Sequence, residues 1–312
     1  MDASVSVRSH PGPWLLENAV AMIIQAFVRR FRPPPACRRI ALGAALALAT
    51  AGVAATAGQA AAQGLVPHRA LYSLTDTGAT ASHGATSASG IVRSETLSVC
   101  GDWRYNQTLD LVMTLSDGML RRITTFSETV ESQDGLTYTF RHEVWVNGTV
   151  AGRIAGQARM AGPGQGGQAI FQSPRRLVVA LPAGTLFPLG HAAALLAAVK
   201  DGARFDQRSL FTGDAMETPL YFGSAVVGAP VTPGSDQALL AGRAWPISLA
   251  LFDPDDSGPA PLAEIGGRYF TNGVADHLML DLGLTVVEGD LLALEALPDE
   301  GCAAAGGSRA SD

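Results

Sequence analysis

The stretch LTYTFRHEVWVNGTVAGRIAG, residues 136–156, decides the fold class of this chain. Large apolar or aromatic residues alternate with mostly polar ones up to Asn147-Gly148, and the run resumes at Val150. A two-residue Asn-Gly connection between such runs is the strongest short-range signal for a β-hairpin. The stretch therefore predicts two antiparallel strands joined by a tight turn.

Two Asp-Gly turns extend this hairpin toward the N-terminus. They lie in SDGML, residues 116–120, and in SQDGL, residues 132–136. We expect an antiparallel meander with strands near 105–115, 119–131, 136–147 and 149–160. Several strand-like segments also follow between residues 208 and 298, so the sequence predicts a mainly β domain with one or two helices.

One segment has the pattern of a helix. In FPLGHAAALLAAVKDG, residues 187–202, Ala192 is followed by Leu195, Leu196 and Val199 at the spacing of one helix face. Gly202 stands where a helix of this length would be capped. We expect an α-helix that packs its apolar face on the sheet.

The N-terminal region has the composition of an export signal. Residues 29–39 carry five arginines and no acid, residues 40–58 are small and apolar, and alanines in QAAAQG suit a cleavage site. We expect cleavage after Ala62, which divides the chain into an N-terminal extension with a signal peptide, 1–62, and one domain, 63–312. The true start codon stays open, and Arg38-Arg39 leaves both general secretion and twin-arginine export as alternatives.

Two cysteines remain after this cleavage. Cys37 precedes the apolar run and is removed with the signal, which leaves Cys100 and Cys302. In an oxidising compartment the default for two such cysteines is a disulfide, here closing a loop of 202 residues. Two unrelated buried thiols are the alternative, and the lack of a C-x-x-C spacing disfavours a redox-active pair.

The charge of the exported part excludes two classes of partner. Removal of residues 1–62 takes six basic and two acidic residues from totals of 22 and 28, which leaves 16 basic and 26 acidic residues and a net charge of −10. Nucleic acid is a poor partner for such a domain. Lys200 is the sole lysine, so no lysine-rich patch is present for an anionic membrane surface.

Motifs for catalysis and metal binding are weak. The chain contains no G-x-S-x-G and no H-E-x-x-H, and an enzyme would need dispersed residues such as His191, His277 and Asp281 to converge. DPDDSGPAPLAE, residues 253–264, places oxygen-bearing side chains as in a calcium loop. Its prolines and strand-like flanks favour a polar hairpin loop instead, so we expect no metal site and no cofactor.

Several segments resemble the EipB family of bacterial periplasmic cell-envelope integrity proteins. They include LVPHRALYSL at 65–74, GDWRYNQTLDLVM at 101–113, WPISLALF at 245–252 and YFTNGVADHLMLDLGLTVVEGDLLALEALPDEGC at 269–302. The similarity covers nearly the whole chain from about Leu65 to Cys302. It implies a β-spiral, which is a curved and partly closed antiparallel sheet, with a disulfide between the cysteines that match Cys100 and Cys302.

The resemblance also implies a function. We expect a non-enzymatic periplasmic protein that supports envelope integrity, has no transmembrane segment in its mature part, and binds a lipid, a lipoprotein or a protein segment in an apolar groove on the concave face. A periplasmic hydrolase that uses dispersed histidine and carboxylate residues is the alternative. The groove is predicted to be lined by six side chains: Trp103, Tyr105, Phe140, Val144, Leu195 and Val199.

Overall fold

The computed structural model describes residues 64–78, 84–217, 219–255, 258, 260–282 and 285–301. The predicted signal peptide, its cleavage site and Cys302 lie outside these residues. The described chain contains fourteen strands, one α-helix and one short 3₁₀ helix at Ala238–Leu240. The strands are β1 His68–Asp76, β2 Ala85–Val99, β3 Asp102–Leu115, β4 Leu120–Ser132, β5 Thr137–Val146, β6 Thr149–Met160, β7 Gly167–Ser173, β8 Leu177–Leu181, β9 Phe205–Leu210, β10 Tyr221–Val227, β11 Ala244–Phe252, β12 Ala263–Phe270, β13 Ala275–Asp281 and β14 Val286–Ala296.

All fourteen strands belong to one antiparallel sheet. Strands β1 to β8 form a meander on one side and β9 to β14 form a second meander on the other. The two meanders meet where β1 pairs with β14, so the sheet order runs from β8 through β1 and β14 to β9. The prediction of a mainly β fold with a single antiparallel sheet is confirmed.

Two hairpins use tight turns with positive backbone φ angles. Asn147 and Gly148, between β5 and β6, have φ of 50° and 81°. Cys100 and Gly101, between β2 and β3, have φ of 53° and 82°. Positive φ at both central positions matches the right-handed twist of the flanking strands. The first turn confirms the prediction from Asn-Gly, whereas the second makes β3 begin three residues earlier than expected.

The sheet approaches closure without reaching it. Its edge strands are β8 and β9. Leu186, just after β8, forms a single parallel bridge to Leu210 of β9. The Leu186 amide donates to the carbonyl of Ser209 at 3.0 Å, and the Phe211 amide donates to the carbonyl of Leu186 at 3.0 Å. The sheet is therefore partly closed, with its apolar face turned inward.

The helix, here α1, spans Pro188–Lys200. It ends as predicted at Gly202, whose φ is 92° and whose amide donates to the carbonyl of Val199 at 3.0 Å. The Ala203 amide donates to the carbonyl of Ala198 at 2.9 Å, and this pair of bonds is the Schellman motif. Leu195, Leu196 and Val199 are buried against β10 and β11, which confirms that α1 packs on the sheet.

The acidic segment at 253–264 connects two strands. It follows β11 and runs into β12, so the strand-like flanks that the sequence predicted are confirmed. The amide of Asp255 donates to a carboxylate oxygen of Asp253 at 2.9 Å, as in a short polar turn. Glu264 already lies in β12, opposite Asp281. Residues 256, 257 and 259 of this segment lie outside the described residues.

Candidate functional site

The inward-facing side chains of β3 differ in burial along the strand. Trp103 at one end is 5% exposed, and Leu111 and Met113 at the other end are 1% exposed. Between them, Tyr105 and Leu109 are only half-buried. The inner face is thus packed at both ends and remains partly accessible in the middle.

Neighbouring strands repeat this pattern in register. Leu109 lies opposite Thr125 of β4, which lies opposite Val144 of β5, which lies opposite Gly152 of β6. The first three are half-buried. A Cβ atom at Gly152 would meet no heavy atom within 4 Å, so open space adjoins this position.

The second meander faces the same space. Val144 packs partly against the same core cluster as Leu278 and Leu280 of β13, which places β5 and β13 on opposite walls. Leu249 of β11 is half-buried between Ile247 and Leu251 in its inward row. We use the term inner belt for the half-buried inward positions at mid-strand: Tyr105, Gln107, Leu109, Ser127, His142, Val144, Gly152, Leu249, Leu278 and Leu280.

The polar part of the inner belt is held by internal hydrogen bonds. The Gln107 amide donates to the Tyr105 hydroxyl at 2.8 Å. His142 Nε2 lies 3.3 Å from the carbonyl of Thr212, so this nitrogen donates and Nδ1 accepts from the Ser127 hydroxyl at 3.0 Å. Burial lowers the pKa of His142, which keeps the imidazole neutral in this arrangement.

One end of the inner space is closed by α1 and a buried carboxylate. Glu131 of β4 is 1% exposed, and its two carboxylate oxygens accept the amide hydrogens of Leu189 at 2.9 Å and Gly190 at 2.8 Å. These amides belong to the first turn of α1, which has no acidic residue or side-chain cap of its own. Burial raises the pKa of Glu131 to about 7, against the opposing effect of the two hydrogen bonds.

An aromatic core supports the same end of the space. Phe140 contacts Tyr138 at a ring-centroid distance of 5.6 Å, Phe171 at 5.3 Å and Phe211 at 5.6 Å. Phe187, the residue before α1, stacks on Tyr138 at 5.0 Å. This cluster fixes the entry of α1 onto the sheet.

The structure divides the six predicted groove residues. Trp103 and Phe140 are buried beside α1, and Leu195 and Val199 of α1 are buried against the sheet, so these four form packed core and offer no open surface. This corrects the expectation that they line a groove. The reason is that α1 covers the end of the inner face on which they lie.

Tyr105 and Val144 differ from these four. Both are half-buried and belong to the inner belt. Burial and the neighbouring Tyr269 raise the pKa of Tyr105, although part of its surface is accessible. Such a combination is typical of a side chain in an enclosed space, and the assignment of these two residues to a ligand groove stays a prediction.

The residues of the hydrolase alternative are not brought together. His191 is buried in α1, and burial lowers its pKa to about 4. His277 and Asp281 lie on β13 in the outward row, since the intervening Leu278 and Leu280 pack inward. His277 Nδ1 lies 3.1 Å from a carboxylate oxygen of Asp290. No group of three metal-ligating side chains occurs among the residues that the structure describes.

Two features of the site were missed from the sequence. Glu131 was read as an ordinary strand residue, and Gly152 was read only as part of a hairpin. The inward parity of Glu131 with Thr129 could have flagged a buried acid, because the strand alternates strictly at these positions. No local signal marks the open space beside Gly152, since it depends on strands distant in sequence.

Comparisons with known proteins agree with this architecture. The family model described as EipB-like matches residues 59–298. The cell envelope integrity protein EipB of Brucella abortus (strain 2308) is 26% identical over 240 residues, which is 74% of this chain and 84% of the relative. A crystal structure of a beta-barrel-like protein of the domain of unknown function DUF1849, also from Brucella abortus, matches with a TM-score of 0.68 at 24% identity and covers 75% of this chain and 99% of its own.

The extent of these matches settles the family. The family model spans most of the chain, including the sheet from β1 to β14 and α1. The solved structure supports the fold. Within the described part of the chain, no helix has the length and hydropathy that a membrane span requires. The chain belongs to the EipB-like family.

Proposed function

We propose that this protein supports cell-envelope integrity as a non-enzymatic periplasmic protein that holds the apolar part of a lipid, a lipoprotein or a protein segment in the inner belt. Membership of the EipB-like family and the name of the Brucella relative support the role in envelope integrity. The export signal expected at 1–62 supports the periplasmic location. The ligand-holding mechanism is the part that the inner belt suggests.

The open space beside Gly152 is the observation that carries this mechanism. It adjoins Val144 and Leu109, which leave apolar surface accessible at the middle of two strands. Ligand sites in proteins are mostly apolar cavities in which a few polar groups set orientation. Here Tyr105, Gln107 and His142 supply those polar groups.

The geometry favours binding over hydrolysis. The separation of His191 from His277 and Asp281 leaves the hydrolase alternative without its expected cluster. His142 directs one ring nitrogen to a backbone carbonyl and the other to Ser127, and this use satisfies both nitrogens internally. We therefore place no catalytic residue in the inner belt.

Filling the space tests the mechanism. We expect Gly152→Phe to weaken binding of a polarity-sensitive naphthalene sulfonate dye at least about tenfold, a loss of about 1.4 kcal/mol, because the new ring occupies the open volume. Fluorescence titration of the exported protein measures this change. Thr139→Phe, which adds the same ring on the exposed outer row of β5, should leave dye binding unchanged.

Unchanged dye affinity in Gly152→Phe would contradict the mechanism, provided that circular dichroism shows an intact sheet. Competition between the dye and an acylated peptide distinguishes a lipid-like ligand from a purely protein ligand. If the dye binds only after denaturation, the inner belt holds no ligand and a scaffolding role becomes the better hypothesis.

A second glycine in the same inward row of β6 provides a contrast in stability. At Gly156 a Cβ atom would lie 2.5 Å from the carbonyl oxygen of Ile170 and 2.6 Å from the Phe140 ring. We expect Gly156→Ala to lower the free energy of unfolding by about 1–3 kcal/mol, as overpacking does. Gly152→Ala should change it by less than about 1 kcal/mol. Urea denaturation of the two variants checks this, and equal effects would show that the described packing is wrong.

A further inference from the structure

The outer face of the first meander carries a groove that the inner belt does not explain. It has a volume of about 710 Å³ and is formed on β1 to β5. Most of its lining consists of outward-facing side chains, on the side of the sheet opposite to the inner belt. Any ligand of this groove is therefore independent of a ligand inside the sheet.

The groove is built from cross-strand rows. In the first row each residue lies directly opposite the next across five strands, about 19 Å at the usual strand spacing. Its members are Arg69, Glu95, Asn106, Glu128 and Arg141. A second row of four strands is parallel to it and consists of Arg93, Thr108, Phe126 and Glu143.

The charges of the groove balance. Three guanidinium groups and three carboxylates line it, and several are paired with one another. Arg69 donates to Glu95 at 2.9 Å and Arg141 donates to Glu143 at 2.6 Å. Arg141 holds the pKa of Glu143 below its usual range, so this carboxylate is an acceptor at neutral pH. A ligand with a large net charge of either sign would gain little here, whereas one rich in neutral hydrogen-bonding groups fits.

Two aromatic side chains add apolar surface beside these polar groups. Phe126 is 44% exposed, although most of its neighbours are polar. Trp145 is half-buried, and the guanidinium of Arg153 lies 6.0 Å from the centre of its ring. Aromatic side chains provide large, rigid contact area at low entropic cost. The groove thus offers ring surfaces beside fixed donors and acceptors.

We propose that this outer groove binds a neutral saccharide chain. Sugar rings combine apolar C–H faces, which pack on aromatic rings, with hydroxyl groups that both donate and accept hydrogen bonds. Arg93, Asn106 and Glu128 would meet the hydroxyl groups, while Phe126 and Trp145 would support the ring faces. An extended row about 19 Å long suits a chain of several sugars rather than a single one.

Isothermal titration calorimetry of the exported protein with three neutral hexasaccharides tests this proposal. The probes are the β-1,4-linked hexamers of N-acetylglucosamine and of glucose, and the α-1,4-linked hexamer of glucose. We expect saturable binding of at least one of them, with an affinity at least about tenfold weaker in Phe126→Ala and in Trp145→Ala. Phe222→Ala is the matched control, because Phe222 is 37% exposed on β10 and lies outside the groove.

Two further measurements keep the test sharp. Glu128→Gln leaves packing unchanged because Glu128 is exposed, and it should weaken saccharide binding even if Trp145→Ala perturbs folding. A neutral ligand should bind equally well at low and high salt, since no charge is screened. Gly152→Phe should not affect it, which separates this site from the inner belt.

Three outcomes would overturn the proposal. One is that none of the three hexasaccharides binds at millimolar concentration. Another is that Phe126→Ala and Glu128→Gln bind as tightly as the unmodified protein. The third is that the groove captures a peptide of mixed charge, with an affinity that falls steeply with salt, while the sugars do not compete.

Discussion

Replacing either Cys100 or Cys302 with serine is expected to lower the free energy of unfolding of the exported protein by the same amount, about 5 kcal/mol. Both changes open one loop of 202 residues, and the chain-entropy treatment of cross-links assigns about this value to its closure. The double variant should be no less stable than either single variant, because the two residues share one bond. Urea denaturation under oxidising conditions measures all three.

The backbone next to Cys100 supports this expectation. The amide of Cys100 donates to the carbonyl of Glu300 at 3.1 Å, and the amide of Glu300 donates to the carbonyl of Ser98 at 2.9 Å. The chain therefore runs beside the tight turn at 100–101 only two residues before Cys302. Dithiothreitol should reduce the stability of the unmodified protein to that of the variants and leave the variants unchanged. Additive losses in the double variant would contradict a shared disulfide.

The buried carboxylate of Glu131 should make stability depend on pH in an unusual direction. Its pKa in the folded protein is about 7, above the ordinary value of 4.5 in an unfolded chain. The folded state therefore binds more protons between these values, and stability falls as pH rises through this window. The difference in pKa corresponds to about 3 kcal/mol, which is fully present below about pH 4.5 and lost above about pH 7.

A variant isolates this contribution from other titrating groups. Histidines with lowered pKa, such as His191 and His142, act in the opposite direction, because they lose stability as pH falls. We therefore expect the effect in the difference between the unmodified protein and Glu131→Gln, which cannot ionise and keeps one acceptor for α1. Thermal or urea unfolding from pH 4 to 8 measures it. A difference that does not change across this range would show that Glu131 is charged at all of these pH values.

Local sequence patterns predicted much of the fold. The alternation on both sides of Asn147-Gly148 identified β5 and β6, and the two Asp-Gly turns identified the strands before them. The spacing in residues 187–202 identified α1 and its end at Gly202. These features depend on neighbours within a few residues, so composition and periodicity suffice. The pairing of β1 with β14 joins residues more than 200 positions apart, and only the family resemblance suggested a curved, partly closed sheet.

The site was harder to predict, for a physical reason. Alternation shows which side chains face inward, but not whether another element covers them. Phe140 and Val144 share one inward row of β5, yet Phe140 is packed in the aromatic core beside α1 and Val144 faces open space. The difference depends on where α1 docks. Glu131 was missed because an acid in a strand usually faces water, whereas this one caps a helix from a distant strand.

The central position of β1 has a consequence for the order in which the chain can fold. During N-to-C synthesis or export, β1 to β8 emerge first and can pair with one another locally, but one edge of β1 has no partner until β14 has emerged. An unpaired central strand edge can pair with other chains, and contacts between distant residues form slowly. The long wait for β14 therefore makes the half-made sheet the stage most prone to aggregation. A chaperone that shields this edge would raise the yield of folded protein more than one that acts after the last strand has joined.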